Sequence, residues 1–307
     1  MDHWLFHQDG SAAPDPPSGT LISALCHIPQ RNSILRCDIT VTSAFKSLMH
    51  FRLRHRGNQA RLTAKIPINA ISRAAVDAGN EHVRHCVIPV IRSKSDRPFL
   101  EGSAVALTYH GRKCLVTANH VLSRNADRPL FYFGADGYAR QLAGTFIIAE
   151  AHDLAAVALD SESVEALSHV PFLDEDQLGP VAAPDGRFYA SVVGYPHTAS
   201  KRTDKLTLDT PMEVYSNTGR EQLGGFVSVD FDKKDGAWDR SEGHVIVRDP
   251  IGKSGGAIFG MPLMGLDGVR PWAKPKLVGI STDWKRNQKR IIGASVVMVC
   301  PMLEEIT

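Results

Sequence analysis

Three short stretches of this chain carry residue types that do chemistry together. Leu115-Val116-Thr117-Ala118-Asn119-His120 is an apolar run that ends in a histidine. His152-Asp153-Leu154-Ala155-Ala156-Val157-Ala158-Leu159 opens an apolar run with an aspartate, and Gly252-Lys253-Ser254-Gly255-Gly256-Ala257 sets a serine in a glycine-rich turn. A serine hydroxyl is a poor nucleophile at neutral pH until an adjacent imidazole takes its proton. The imidazole needs a carboxylate to fix its tautomer and to stabilise the cation that forms. Glycines beside the serine free the backbone to aim two N–H groups at one developing oxyanion. Each stretch alone has a plainer meaning: a core or surface histidine, a turn aspartate, an ordinary Gly-x-Ser turn. Asp127, Asp136 and Asp160 compete for the acid's place, but none of them opens an Asp-Leu-Ala run. It is the three in order, each beside a strand-like run, that carry weight.

The elements that must position them read as short strands. Apolar runs at 87–92, 102–109, 113–117, 130–133, 139–148 and 154–159 are followed by others at 188–194, 205–215, 224–230, 257–260, 276–282 and 291–299, with 244–249 as an extra. Turn pairs such as His110-Gly111, Asp136-Gly137, Asp185-Gly186 and Asp235-Gly236 separate many of them. A dozen strands with almost no long helical pattern predict an all-β barrel or sandwich architecture. The proline-bounded stretch 171–184 divides them six and six, which suggests two equal barrels. Residues 300–307 suit a short terminal helix.

At these motifs the chain resembles the chymotrypsin/trypsin-like serine peptidases. Thr117-Ala118-Asn119-His120 is similar to the family's Thr-Ala-Ala-His, with Asn119 in place of the second alanine. Asp153-Leu154-Ala155 is similar to its Asp-Leu/Ile-Ala, and Gly252-Lys253-Ser254-Gly255-Gly256 to its Gly-Asp/Asn-Ser-Gly-Gly. Gly102-Ser103, Gly194-Tyr195-Pro196 and Val278-Gly279-Ile280-Ser281 add support, and the likeness spans about 85–300. The resemblance implies two six-stranded antiparallel β-barrels in a peptidase domain at 83–307, behind a poorly defined N-terminal extension at 1–82. It implies His120 as general base, Asp153 as its orienting partner and Ser254 as nucleophile. The N–H groups of Gly252 and Ser254 would form the oxyanion hole, and Arg248, Ser281 and Thr282 would contact substrate. No cofactor is implied.

Departures from the secreted members narrow the reading. Val121 stands where those members carry a disulfide cysteine, and Lys253 stands where the zymogen branch has an aspartate that pairs with a freshly cut N-terminal amine. A lysine would repel that amine, so cleavage cannot order the turn in the same way. The turn is then formed in the intact chain, or ordered by a partner or by self-association. These features point to the bacterial-type branch, similar to the Deg/HtrA peptidase core; with 53 residues after Ser254, no appended PDZ domain is expected.

Composition sets the outer limits. The 307 residues are 43% hydrophobic and 22% charged, which excludes a collagen-like or wholly disordered chain. Lys plus Arg number 35 against 33 Asp plus Glu, so the net charge of +2 names no partner. No run approaches a membrane span, and the first ten residues lack a basic-then-apolar leader pattern. Five scattered cysteines suit a reducing cytoplasm better than a disulfide framework. Neither His82-His85-Cys86 nor Cys26-His27-Cys37 has zinc-like spacing, so no metal is expected. Residues 11–20 are Pro/Ser-rich and read as unstructured, 46–65 is basic with no acid, and 66–83 has helical spacing. The basic stretch suits an anionic partner or, more commonly, a solvated surface; nucleic acid is not expected.

The leading expectation is therefore a cytoplasmic serine endopeptidase acting on a protein or peptide. The alternative is a peptidase-like binding or scaffold module that works through the basic segment. Because all twelve runs lie beyond residue 86, a chain beginning at Glu81 is predicted to fold by itself. Limited proteolysis of the full chain should cut first within 11–65; early cuts within 87–159, with 1–80 protected, contradict this.

Overall fold

Short apolar runs separated by turn residues dominate the chain from Val87 onward, and the computed structural model shows how they pair. It describes residues 78–306 apart from 82, 96, 182–185, 204–206, 234–236, 240–242, 246 and 263–273, and only the backbone of 237–239 and 243–245. The chain divides into two units, Met1–Pro67 and Ile68–Thr307, and every described residue belongs to the second. The expectations for 11–20 and 46–65, most of the helix at 66–83, and Cys26, His27, Cys37 and His82 lie outside the described residues. The architecture is mostly β.

Seven strands make the first half: β1 (Val87–Lys94), β2 (Arg97–Tyr109), β3 (Arg112–Ala118), β4 (Leu130–Phe133), β5 (Ala139–Gln141), β6 (Phe146–Ala149) and β7 (Leu154–Ala158). His110 and Gly111 both take positive φ, as a two-residue hairpin requires, and place Tyr109 opposite Arg112. The strand order is β5-β4-β1-β2-β3-β7-β6, so consecutive β5 and β6 lie at opposite edges. Seven flat strands would hold those edges roughly 29 Å apart, while the link from Gln141 to Phe146 reaches roughly 18 Å at most. The sheet must therefore curl on itself.

It does not close into the expected first barrel. The expected strand at 139–148 is broken at 142–145, where Gly144 has φ 125° and the Leu142 N–H turns back to the Leu130 carbonyl. Leu142 and Phe146 fill this seam with side chains, packing with Ile88, Val90, Ala106, Leu115 and Val157. A side-chain seam replaces a backbone ladder.

The second half does close. It contains β8 (Arg187–Gly194), β9 (Lys201–Arg202), β10 (Leu208–Asp209), β11 (Glu213–Gln222), β12 (Phe226–Asp230), β13 (Ala237–Asp239), β14 (Gly243–Val245), β15 (Ala257–Pro262), β16 (Lys276–Lys285) and β17 (Arg290–Ser295). Six of these form a closed barrel in the order β11-β12-β17-β16-β15-β8, around Phe188, Val192, Val227, Val229, Ile258, Val278 and Ile291. The run at 205–215 is not one strand: β10 is a short hairpin arm, and β11 begins at Glu213 and continues to Gln222.

The described elements include three short helices: α1 (Asn119–Ser123), α2 (Ser161–Ala166) and α3 (Val296–Glu304). The strand expected at 291–299 stops at Ser295, whose hydroxyl accepts the Val297 N–H and starts α3. Val296, Val299, Met302 and Leu303 are spaced for one helical face, and they pack with Val105, Leu107, Val116, Val193 and Phe259. That shared cluster joins the halves. It also explains why β2 reads as nearly continuous apolar sequence: Ala104 and Ala106 face the curled sheet's own core, while Val105 and Leu107 face the barrel. Among the described residues no helix is long and apolar enough to cross a membrane.

Cys86 and Cys114 are fully buried and unpaired. Burial pushes both thiols up, Cys114 to about 11. Both should resist iodoacetamide in the folded protein at mildly alkaline pH and react once urea unfolds it. A mass increment on the Cys114 peptide before unfolding contradicts this packing.

Candidate active site

His120 is the second residue of α1, a five-residue helix that directly continues β3. Helix N-termini leave backbone N–H groups without partners, and here Asp153 supplies them from 33 positions along the chain. Its Oδ1 accepts the His120 N–H at 2.9 Å, and its backbone carbonyl accepts the Asn119 N–H at 2.9 Å. The other carboxylate oxygen, Oδ2, lies 2.6 Å from His120 Nδ1. Asp153 takes φ 54°, a left-handed conformation that aspartate tolerates better than most residues, at the turn from a short 3₁₀ segment into β7. One carboxylate thus fixes both the helix and the ring. The contact requires a proton on Nδ1 and leaves Nε2 as the acceptor.

The far end of α1 is held by Arg92 on β1. Its guanidinium donates to the carbonyls of Val121 (3.2 Å), Leu122 (2.7 Å) and Arg128, and its Nε lies 3.3 Å from Glu101 on β2. Arg92 and Glu101 are both 2% exposed. The other two guanidinium nitrogens are held by those carbonyls, while Nε faces Glu101 at ion-pair distance without a hydrogen bond.

Ser254 sits between β14 and β15, on a turn pressed against several strand ends. Its carbonyl accepts the Ser103 N–H at 2.8 Å, and Ser103 Oγ donates to Gly252 O at 3.3 Å while accepting the Tyr195 N–H at 3.0 Å. On the other side, Gly255 donates to Ser281 O at 2.7 Å, and Ser281 N–H returns to Gly256 O at 2.8 Å. Gly255 has φ 81°, and a Cβ there would stand 2.0 Å from Ser103 O and 2.2 Å from Thr117 Oγ1. Only glycine fits. This contact places the serine turn against Thr117 and Ala118, the strand end that leads into His120.

The turn also leaves two donors unused. Lys253, Gly255 and Gly256 all donate their N–H groups to backbone carbonyls, whereas among the described residues those of Gly252 and Ser254 meet no acceptor. Gly252 has φ 96°, and His197 occupies the space a side chain would need there.

The residues expected to contact substrate are placed less uniformly. Ser281 is buried in direct contact with the serine turn, and Thr282 sits at an irregularity between β16 and β17, donating to Ile292 O at 3.4 Å. Bulges of this kind re-aim side chains. Arg248, expected to contact substrate, is 54% exposed, and its guanidinium donates at 2.8 Å to Glu213. The same carboxylate reaches Lys253 Nζ at 3.4 Å, with Lys253 only 2% exposed. Sequence reasoning missed Glu213 and Arg92. For Arg92 there was a signal, a charged residue closing one apolar run with Glu101 just before the next; Glu213 has no local signal.

No protein-family profile matches the chain, and no curated protein matches it. Similar solved structures include a serine endoprotease from Yersinia pestis, at 13% identity and TM-score 0.46, covering 79% of this chain and 68% of that one. The serine protease domain of the Sesbania mosaic virus polyprotein is 14% identical at TM-score 0.42, covering 71% of this chain and 91% of that one. These are distant likenesses, and the geometry above stands apart from them.

Replacing Gly255 by alanine adds a Cβ against two oxygens and a left-handed backbone, so Gly255→Ala should destabilise the fold by at least about 3 kcal/mol. Urea denaturation checks this; a loss below about 1 kcal/mol would show that the turn is not confined as described.

Proposed function

We propose that the chain is a serine endopeptidase, with Ser254 as nucleophile, His120 as general base and Asp153 as the residue that orients it. The observation that carries this reading is the Asp153 Oδ2 to His120 Nδ1 contact at 2.6 Å, with the Ser254 turn seated on the strand end that leads into His120. Nδ1–H held by the carboxylate leaves Nε2 to take the serine proton as Oγ attacks the scissile carbonyl. The carbonyl oxygen becomes an oxyanion, and the unused N–H groups of Gly252 and Ser254 are the donors on offer for it. The imidazolium then returns its proton to the leaving amine. Water repeats the sequence through the same base and releases the acyl group from Ser254.

Other features support parts of this reading. Cys86, Cys114 and Cys300 are unpaired, which suits a reducing compartment. Ser281 at the turn suits a substrate-contacting edge. Arg248 lends substrate binding no support, because Glu213 already meets its charge. The scaffold alternative rests on the basic segment and draws no support from the described residues.

The test is hydrolysis of a diverse peptide mixture, read by mass spectrometry. Ser254→Ala and His120→Ala should each lower the rate at least about 10⁴-fold, and the double variant should be no worse, since both remove one proton-transfer unit. Asp153→Asn should cost about 10³- to 10⁴-fold, because geometry persists while tautomer control fails. Near wild-type cleavage by folded Ser254→Ala ends the proposal.

A further inference from the structure

Lys253 lies between the two residues whose N–H groups are free, and its side chain is buried. The backbone of Lys253 crosses β8 at Gly194, where a Cβ would stand 3.0 Å from Lys253 Cβ and 3.1 Å from its Cα. Gly194 is the register partner of Glu213, the first residue of β11. Glycine at 194 gives the lysine room to pass this close, and the lysine then meets the carboxylate across the strand pair. Glu213 Oε2 lies 3.4 Å from Lys253 Nζ, and Oε1 lies 2.8 Å from Arg248. A single carboxylate therefore ties both ends of the segment from Arg248 to Lys253. Within that segment the Lys253 N–H bonds to Pro250 O, and Ile251 O accepts the His197 N–H.

A buried ammonium must keep its counter-charge or leave the interior. Burial pushes the Lys253 pKa down, and Glu213 offsets only part of that shift. Were the carboxylate lost, Lys253 would swing out or lose its proton, and the peptide planes on either side of it would be released. The plane after Lys253 carries the Ser254 N–H, and the plane before it carries the Gly252 carbonyl that Ser103 Oγ holds, one plane away from the Gly252 N–H.

We infer that Glu213 is a positioning residue: acting through Lys253, and closing the segment at Arg248, it braces the serine turn in the uncut chain. The catalytic consequence rests on the peptidase reading; the brace itself does not. The arrangement has the opposite polarity to the zymogen-type pair described above. There the turn offers an acid to a new amine; here the turn carries the amine, and the fold supplies the acid from β11. No cleavage is needed to complete it.

The experiment uses the full chain with Glu213→Gln, Lys253→Met and the double variant. Amide hydrogen exchange over 250–256 reads the turn whether or not Ser254 reacts. Fluorophosphonate labelling, resolved into its maximal rate and its half-saturating probe concentration, reads the catalytic consequence. Glu213→Gln should speed exchange over 250–256 at least about tenfold while leaving the β12–β17 ladder protected. The maximal labelling rate should fall at least about tenfold, with the half-saturating concentration within about twofold. The double variant should be no worse than the worse single one, as one shared interaction requires.

Unchanged exchange and labelling in Glu213→Gln overturn the inference, and so do losses that multiply in the double variant. A uniform rise in exchange across the barrel also overturns it, because Glu213 would then be an ordinary stabilising residue. Should Glu213→Gln not fold, Glu213→Asp keeps the charge but withdraws it by one methylene, and the same local rise in exchange is expected. If wild-type protein is not labelled at all, the peptidase reading fails, while the exchange measurement still decides the brace.

Discussion

The hydrogen bond from the Ser103 N–H to the Ser254 carbonyl, 2.8 Å long, ties the first half of the unit to the turn of the second. Ser103 does more than hold that one atom. Its own carbonyl accepts Thr117 Oγ1 at 2.7 Å, and its hydroxyl bonds both Gly252 O and the Tyr195 N–H. One residue on β2 therefore registers β3, β8 and the serine turn together. The missing side chain at Gly255 admits this contact, because a Cβ there would stand 2.0 Å from the Ser103 carbonyl oxygen. The two sheets can differ in closure, one curled with a side-chain seam and one a complete barrel, because this junction positions the serine turn.

The histidine is placed by a separate device. A five-residue helix has little stability of its own, so α1 depends on what grips its ends. Asp153 satisfies the first N–H groups, and Arg92 satisfies the last carbonyls from a position where Glu101 balances its charge. The residue that orients the imidazole is also the one that starts its helix. On the proposed reading, ring orientation and helix position are then one constraint, which suits a base that must face its nucleophile within a few tenths of an ångström.

Much of this was legible in the chain because the motifs are local. The runs ending at His120 and beginning after Asp153 read as strands, and they are β3 and β7, hydrogen-bonded to each other with Ala118 opposite Leu154. Glycines at 252, 255 and 256 marked a turn, and positive φ at two of them explains why they are glycine. What local reading could not deliver was long-range. The run at 139–148 looks continuous, and only the need to fill the curled sheet with Leu142 and Phe146 breaks it. Val296–Val299 is β-branched enough to read as strand, yet the Ser295 cap and a shared apolar cluster make it helix. Lys253 and Arg248 were visible as cations, but their common partner is 40 and 35 residues away and has no spacing to announce it.

The central claim is that Ser254 is an activated nucleophile in the folded chain. The most direct measurement is treatment of full-length protein, shown intact by mass spectrometry, with a fluorophosphonate, followed by peptide mapping of the adduct. The account predicts one adduct per chain, on Ser254, that disappears when the protein is unfolded before treatment and in His120→Ala. An adduct on another residue, or none on protein whose fold is confirmed by circular dichroism, contradicts it.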